Sequence, residues 1–410
     1  MAAHGKSIPI GLFERLWYWS ETESQLKSGT ITKVVCSGRA FELGLCQGQA
    51  TAKQILAARR VLSELEAFRQ KQPLWLPYPI YRWVAERKSF RYLQSALSPN
   101  HTQMLERLRG ISSGANLSLP TMCLFNALEP LLSSVGDCTV SPGACSAISI
   151  RGRRSANGCP MVARNFDYLK LVQPFYIIRD VQPDSGYRSL EFTTAPLAGA
   201  VDGINETGLC ITYDYAFTTD RPQSFAPPIS MIIAETLRYC STVAEAEAYF
   251  RSKSRWGGGI LMVADLSGDI ASFELSNTQL QVRRPAPGED VLHHTNLFST
   301  PEMQGVQIPL DAMYGENAPT QLRGRRLHES SIVRDQRFQE LLCQHDVIGV
   351  DELGVIMSDH GPDNRPGGST LCVHGNYWHT TACLQFFPTE RKMRVAFSTA
   401  CEASFTDFQL

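Results

Sequence analysis

The periodicity of apolar residues changes kind near Gly136, and that change limits what this chain can fold into. Before it the spacing is helical. Ile55, Ala58, Leu62 and Leu65 recur three and four apart within residues 52–70, and Met104, Leu105, Leu108 and Ile111 repeat the pattern. Ser118 is placed to cap a further helix, with Pro120 near its start. The first 135 residues therefore read as mainly helical. After Gly136 come short β-rich runs: CSAISI at 145–150, CPMVARNFDY at 159–168, PFYIIRDV at 174–181, SLEFTTA at 189–195, GLCITYDY at 208–215, GGILMVADL at 258–266 and ASFELS at 271–276. Turn clusters such as SANG at 155–158 separate them.

One helical interval, from about Ser230 to Phe250, interrupts the strands and carries a capping-box spacing at Thr242 and Glu245. A second helix is predicted over 331–344, and further strands over 380–387 and 393–399. Residues 299–325, rich in Pro, Gly and polar types, read as a long surface excursion. Helices, then hairpins, then two helices, then strands is not a βαβ alternation. It predicts helices packed on mainly antiparallel sheets, an α+β layered sandwich.

Charge excludes some functions. Lys+Arg 39 against Asp+Glu 40 leaves a net charge of -1, with no broad positive field for nucleic acid or an anionic membrane. No run approaches the roughly 18 apolar residues of a membrane span. In the amino-terminal MAAHGKSIPIGLFERLWYWS, Pro9, Glu14 and Arg15 break the apolar stretch before a signal-peptide core forms. The expectation is a cytoplasmic protein whose 12 cysteines are mostly reduced packing residues. Trp256-Gly257-Gly258-Gly259 lacks the Lys-Ser/Thr of a phosphate loop, and there is no CxxC or HExxH. His293, His294, His360, His374 and His379 are the histidines that could gather round an ion. Adjacent His293 and His294 would point to opposite faces of a strand. No metal or cofactor is expected.

Residues 136–170, GDCTVSPGACSAISIRGRRSANGCPMVARNFDYLK, carry the most chemistry. Ser141-Pro142-Gly143-Ala144 leads into Cys145, which opens an apolar strand. A polar turn follows, then a strand ending Arg164-Asn165-Phe166-Asp167. Folded as a hairpin, the return strand brings Arg164 and Asp167 back beside Cys145. A guanidinium there favours the thiolate, and an Asp could hold the Arg or an amine in place. The plainer reading is a buried hairpin with a core cysteine and a salt bridge.

CSAI…ARNFDY, with small residues before the cysteine, resembles the amino-terminal-nucleophile (Ntn) hydrolases that act on linear amides. The branch it resembles is the acyl-coenzyme A:6-aminopenicillanic acid acyltransferase type, with bile salt hydrolase, penicillin V acylase and acid ceramidase as more distant relatives. The likeness spans about residue 38 to 400. Gly38-Arg39-Ala40-Phe41-Glu42-Leu43-Gly44 followed by Gly48 is similar to a glycine-glutamate element of the family's propeptide region. Gly203-Ile204-Asn205-Glu206-Thr207-Gly208-Leu209 resembles its Asn-Glu turn, and His294-Thr295-Asn296-Leu297-Phe298 its His-Thr-Asn-x-Phe segment. Ser331-x-x-Arg334-x-x-Arg337, Asp359-His360 and Thr381…Pro388…Arg391 fit the tail.

The resemblance implies a four-layer αββα sandwich made as a precursor that cuts itself before its nucleophile. The bond would be Ala144–Cys145, leaving residues 1–144 as a helical propeptide that stays associated as an α chain and 145–410 as the catalytic β chain. The freed α-amine of Cys145 would act as base for its own thiol. Arg164 would favour the thiolate, Asp167 would hold the α-amine, and Asn296 would supply an oxyanion donor. A second oxyanion position falls at Asp214, where relatives carry Asn. A carboxylate donates only when protonated, so either its backbone N–H serves or the count is off by one.

Three departures stand out. Ala144 replaces the Gly of the penicillin acyltransferase, Cys145 to Asp167 is a somewhat long 22 positions, and Cys138-Thr139 is an alternative nucleophile start. The substrate class implied is a small acyl-amide or acyl-thioester, with water or an amine as acceptor. A homo-oligomer is compatible with all of this. Phe166, Tyr168, Phe175, Tyr213 and Tyr215 would suit an apolar acyl group and would equally suit an ordinary core.

Overall fold

The computed structural model describes residues 31–98, 100–132 and 144–410; Cys138 lies outside them. Fourteen strands are described: β1 Lys33–Gly38, β2 Ser146–Ile150, β3 Met161–Tyr168, β4 Tyr176–Pro183, β5 Ser189–Thr194, β6 Asp202–Asn205, β7 Cys210–Tyr215, β8 Gly259–Ala264, β9 Ile270–Leu275, β10 Leu280–Arg283, β11 Val291–His294, β12 His379–Phe387, β13 Lys392–Ala396 and β14 Thr406–Gln409. They form an eight-stranded sheet, β1-β4-β5-β6-β7-β8-β9-β10, and a six-stranded sheet, β11-β2-β3-β12-β13-β14. All pairs are antiparallel except β1 with β4.

The two sheets pack face to face, β2 and β3 lying across β7 and β8. Strands β8 and β9 are buried along their whole length, as strands covered on both faces must be. Helices Ile229–Tyr239 and Val243–Ser252 cover the larger sheet. The smaller sheet is covered by Glu329–Gln344 and Val350–Met357, through Phe338, Leu341, Leu353 and Ile356 packed on Ile148, Ile150, Met161 and Ala163. The order of layers is αββα, as expected. Among the described residues no helix is long and apolar enough to cross a membrane.

Two local readings differ from expectation. The helical interval at 230–250 is two helices, broken at Cys240–Thr242, where Thr242 Oγ1 accepts from the Glu245 amide at 3.2 Å. The capping spacing marked a helix start inside the interval. The first third is not wholly helical, because Lys33–Gly38 is an edge strand burying Val34 and Cys36 while its alternate residues face out. Six residues are too few for a two-residue period to stand out beside long helices.

That first third is built tightly. Helices Ala40–Ala50 and Thr102–Gly114 meet through Gly44, Gly48, Gly110 and Gly114. A Cβ at Gly44 would lie 2.1 Å from the Arg107 carbonyl oxygen, and one at Gly110 2.0 Å from that of Phe41. Only glycine permits backbones this close.

Candidate active site

Cys145 sits one residue before β2 and is 1% exposed. The β2–β3 register pairs Ser146 with Asn165 and Ala147 with Arg164, and the Ala144 amide donates to the Asp167 carbonyl at 3.1 Å. The hairpin thus brings the predicted residues together. Side chains alternate along β3, so Arg164 and Phe166 face the larger sheet while Asn165 and Asp167 face the other way. Asn165 Nδ2 donates to the Met357 and Leu371 carbonyls, tying the hairpin to the covering layer.

Arg164 is fully buried and spends its donors on four acceptors. Nη1 meets Asp202 Oδ2 at 2.6 Å, Nε meets Asp214 Oδ1 at 2.7 Å, and Nη2 serves both Cys145 Sγ, at 3.1 Å, and the Tyr213 carbonyl. Burial opposes its charge, but the Asp202 and Asp214 carboxylates outweigh burial and keep it protonated. Burial pushes the Cys145 thiol well up while Arg164 opposes the shift, so the uncut chain carries the protonated thiol. Burial likewise lifts Asp202 to about 6, against the pull of Arg164.

Asp167 is held on one side only. Its Oδ1 accepts from Thr380 Oγ1 at 2.6 Å, and its Oδ2 is buried without a hydrogen-bond partner. Burial raises its pKa well above the usual carboxylate range, more than Arg334 and Thr380 lower it. Asn296 is fixed at both ends of its amide. Oδ1 accepts from Arg334 Nη2 at 3.0 Å, and Nδ2 donates to the Tyr215 carbonyl at 2.7 Å. Arg334 Nη1 also donates to the Cys145 carbonyl at 2.5 Å and to Ser146 Oγ at 2.7 Å.

Asp214 directs its carboxylate to Arg164 and, at 3.4 Å, to His294 Nε2; burial keeps that imidazole on the neutral side. His293, its neighbour, points outward to Asp335 and Phe338. The two faces are opposite, as strand alternation requires.

Several residues here carried no site role in the sequence reading. Arg334 lay within a matched segment. Asp202 stands immediately before the Gly203 turn, and Thr380 faces Asp167 across β3 and β12. Glu129, from helix Leu119–Leu132, accepts from Tyr213 Oη at 2.5 Å, and burial lifts it to about 7. No short-range pattern links a helix near residue 129 to a strand at 213.

Cys145 and Arg164 border a cavity of about 140 Å³. Its walls are mostly apolar: Leu62 and Leu65, Phe125, Phe166, Phe175 and Tyr215 among them. One side is therefore built from the segment before Cys145 and the other from the sheets. Ala144, Asn296 and Arg334 border a second, smaller pocket, so the Ala144–Cys145 peptide lies between the two.

A buried thiol beside a guanidinium, bordering an apolar cavity, makes Cys145 the candidate nucleophile of this site. Residues 154–399 match the acyl-coenzyme A:6-aminopenicillanic acid acyl-transferase family, and the chain belongs to that family. The matched span starts nine residues after Cys145 and includes Arg164, Asp167, Asp214 and Asn296. No curated protein sequence matches the chain.

Among solved structures it is similar to a Caenorhabditis elegans N-acylethanolamine-hydrolyzing acid amidase ortholog (16% identity, 60% of this chain and 93% of that one, TM-score 0.41). It is also similar to penicillin V acylase from Agrobacterium tumefaciens (16%, 65% and 86%, 0.41). A third is the C2A mutant of conjugated bile acid hydrolase from Clostridium perfringens (12%, 65% and 97%, 0.37).

Proposed function

We propose that this chain is a cysteine Ntn hydrolase precursor that cuts itself before Cys145 and then transfers acyl groups from linear amides or thioesters. The observation that carries the reading is Arg164 Nη2 at 3.1 Å from Cys145 Sγ, on the wall of an apolar cavity. In the first reaction Sγ attacks the Ala144 carbonyl carbon. The Ala144–Cys145 C–N bond breaks, and the thiol proton passes to the departing nitrogen. Water hydrolyses the resulting thioester, giving an Ala144 carboxylate and restoring the thiol.

The freed α-amine has an unperturbed pKa near 7.7–8.0, placed to take the thiol proton at neutral pH. Asp167 Oδ2, buried without a partner before the cut, would accept from that amine. Attack on substrate then forms an acyl thioester on Cys145 and expels the amine or thiol, which takes the proton. Water or an acceptor amine completes the transfer.

Asn296 Nδ2 is the oxyanion donor in this scheme, its orientation held by Arg334. For Asp214 the role is anchoring Arg164, since its carboxylate accepts from that residue. Residues 1–144 and 145–410 would remain one body, because β1 pairs with β4 and the cavity takes walls from both segments.

Intact mass is the test. Two chains, the larger beginning CSAIS, support the reading, and Cys145→Ala should stay whole and inactive. Wild type that remains one 45.6 kDa chain after prolonged incubation would overturn it. Cleavage persisting in Cys145→Ala would move the nucleophile to Cys138 or to an outside protease.

A further inference from the structure

Next to the segment whose Val373 amide binds Thr380, four nitrogen and sulfur donors converge. His360, Cys372, His374 and Cys401 place their ligand atoms within 4.8 Å of one another. His374 Nε2 lies 3.2 Å from His360 Nε2, 3.3 Å from Cys372 Sγ and 3.5 Å from Cys401 Sγ. A tetrahedral zinc ion, with Zn–N near 2.05 Å and Zn–S near 2.3 Å, sets N···N edges at about 3.3 Å and N···S edges at about 3.6 Å. The three spacings about His374 Nε2 match those edges to within about 0.3 Å, and the remaining pairs lie within 4.8 Å.

Hydrogen bonding alone accounts for the cluster poorly. An imidazole nitrogen offers one proton or one lone pair, yet three polar neighbours crowd His374 Nε2. A cation at the centre satisfies all four groups. Two thiolates and two neutral imidazoles would cancel its double charge, their thiol protons leaving to solvent.

The chain delivers the donors by ordinary means. Cys372 and His374 lie two apart, at a bend leading into the isolated bridges of Val373 and His374, and their ligand atoms meet at 3.3 Å. His360 follows Asp359, which Arg337 holds by two hydrogen bonds at 2.9 and 2.7 Å. Cys401 lies on the short 3₁₀ turn Ala400–Glu402. The ring of His379 stands edge-on to that of His374 and walls the cluster.

We propose that His360, Cys372, His374 and Cys401 bind one zinc ion as a closed structural site, and that this ion fixes the backbone that positions Asp167. The link is short. Val373, between two ligands, donates its amide to Thr380 Oγ1 at 2.7 Å, and the same hydroxyl donates to Asp167 Oδ1 at 2.6 Å. Asn165 adds a second tie to this segment through the Leu371 carbonyl. The site joins the 359–374 loop, the 400–402 turn and the β3–β12 pair at one point.

The test needs no substrate. Full-length protein supplied with Zn²⁺ and then dialysed against a weak chelator should retain about one zinc per chain by elemental analysis. Cys401→Ser and His360→Ala should each weaken retention by more than the ~10–100-fold that even an outer-shell partner is worth. Cys343→Ser, at another exposed thiol, should retain zinc as wild type does. Cys401 is itself exposed, so its replacement leaves the core intact.

Co²⁺ titrated into metal-free wild type should give a tetrahedral spectrum with thiolate-to-cobalt bands, a readout independent of any variant. Zinc absent from wild type would overturn the proposal, as would equal retention in Cys401→Ser. A Cys372–Cys401 disulfide, seen as the loss of two hydrogens in intact mass, would overturn it too.

Discussion

Asp167→Asn separates the uncut from the cut state of this site. In the uncut chain Asp167 Oδ2 is buried without a partner, and burial holds the carboxyl well above its ordinary range. The folded chain therefore binds a proton that the unfolded chain has released, once pH exceeds the unfolded value near 3.9. The sign follows from linkage. Stability contributed by this group is present below about pH 3.9 and is lost as pH rises toward the folded pKa, by up to about 1.4 kcal/mol per pH unit.

Asparagine removes that titration while still offering an oxygen to Thr380. Denaturant unfolding of uncleaved Cys145→Ala and of Cys145→Ala/Asp167→Asn, at pH 5 and pH 7, should show the double variant losing less stability on the rise. Asp202 and Glu129, also raised by burial, titrate in both proteins and cancel in the comparison. In the cut enzyme proposed above, the variant would lose the charged hydrogen bond between the Asp167 carboxylate and the α-amine. At about 1.5–3 kcal/mol for such a bond, kcat/KM should fall by ~10–150-fold. Parallel pH–stability lines together with unchanged kcat/KM would refute the reasoning.

Three further outcomes follow from the site. Asn296→Ala should lower kcat by about 10²–10³ and leave KM less affected, as loss of one oxyanion donor does, measured on any turned-over amide. Ala58→Leu fills a cavity of about 140 Å³, close to the ~150 Å³ space known to admit a benzene; kcat/KM should drop by about tenfold or more for a six-carbon acyl group relative to acetyl. Glu129, lifted to about 7, becomes a carboxylate in the cavity wall as pH rises past that value. KM for an apolar acyl substrate should climb from pH 6 to pH 8 in the wild type and stay level in Glu129→Gln.

The layered architecture was legible because strands buried on one or both faces leave long apolar or alternating runs, as in β3, β4 and β8. Short pieces such as β1 and β14 at sheet edges, and the four-residue β6 inside the larger sheet, were not, since so few residues borrow their conformation from neighbours. The same divide runs through the site. Arg164 and Asp167 share a hairpin with Cys145, so turn and register alone bring them back. Asp202, Glu129 and Arg334 come to the site from separate elements, and pairing a buried guanidinium with a carboxylate far along the chain is a property of the packed interior. Asp214 shows the limit of counting: its position could be reached from the Gly203 turn, but its engagement with Arg164 could not. Cys372 and Cys401 read as packing residues because their histidine partners lie 2 to 41 positions away with no regular spacing.

The parallel pairing of β1 with β4 has a bearing on how the protein can be handled. Before any cut, the sheet closes within one molecule, and its folding equilibrium is independent of concentration. After a cut at Ala144–Cys145, the strand at one edge and the strand beside it would belong to different chains. Native assembly would then be first order for the precursor and second order for the separated pieces, so dilution would oppose recovery only of the matured form. A chain cut at that bond would acquire its structure once, before the cut, and would keep it afterwards by never coming apart.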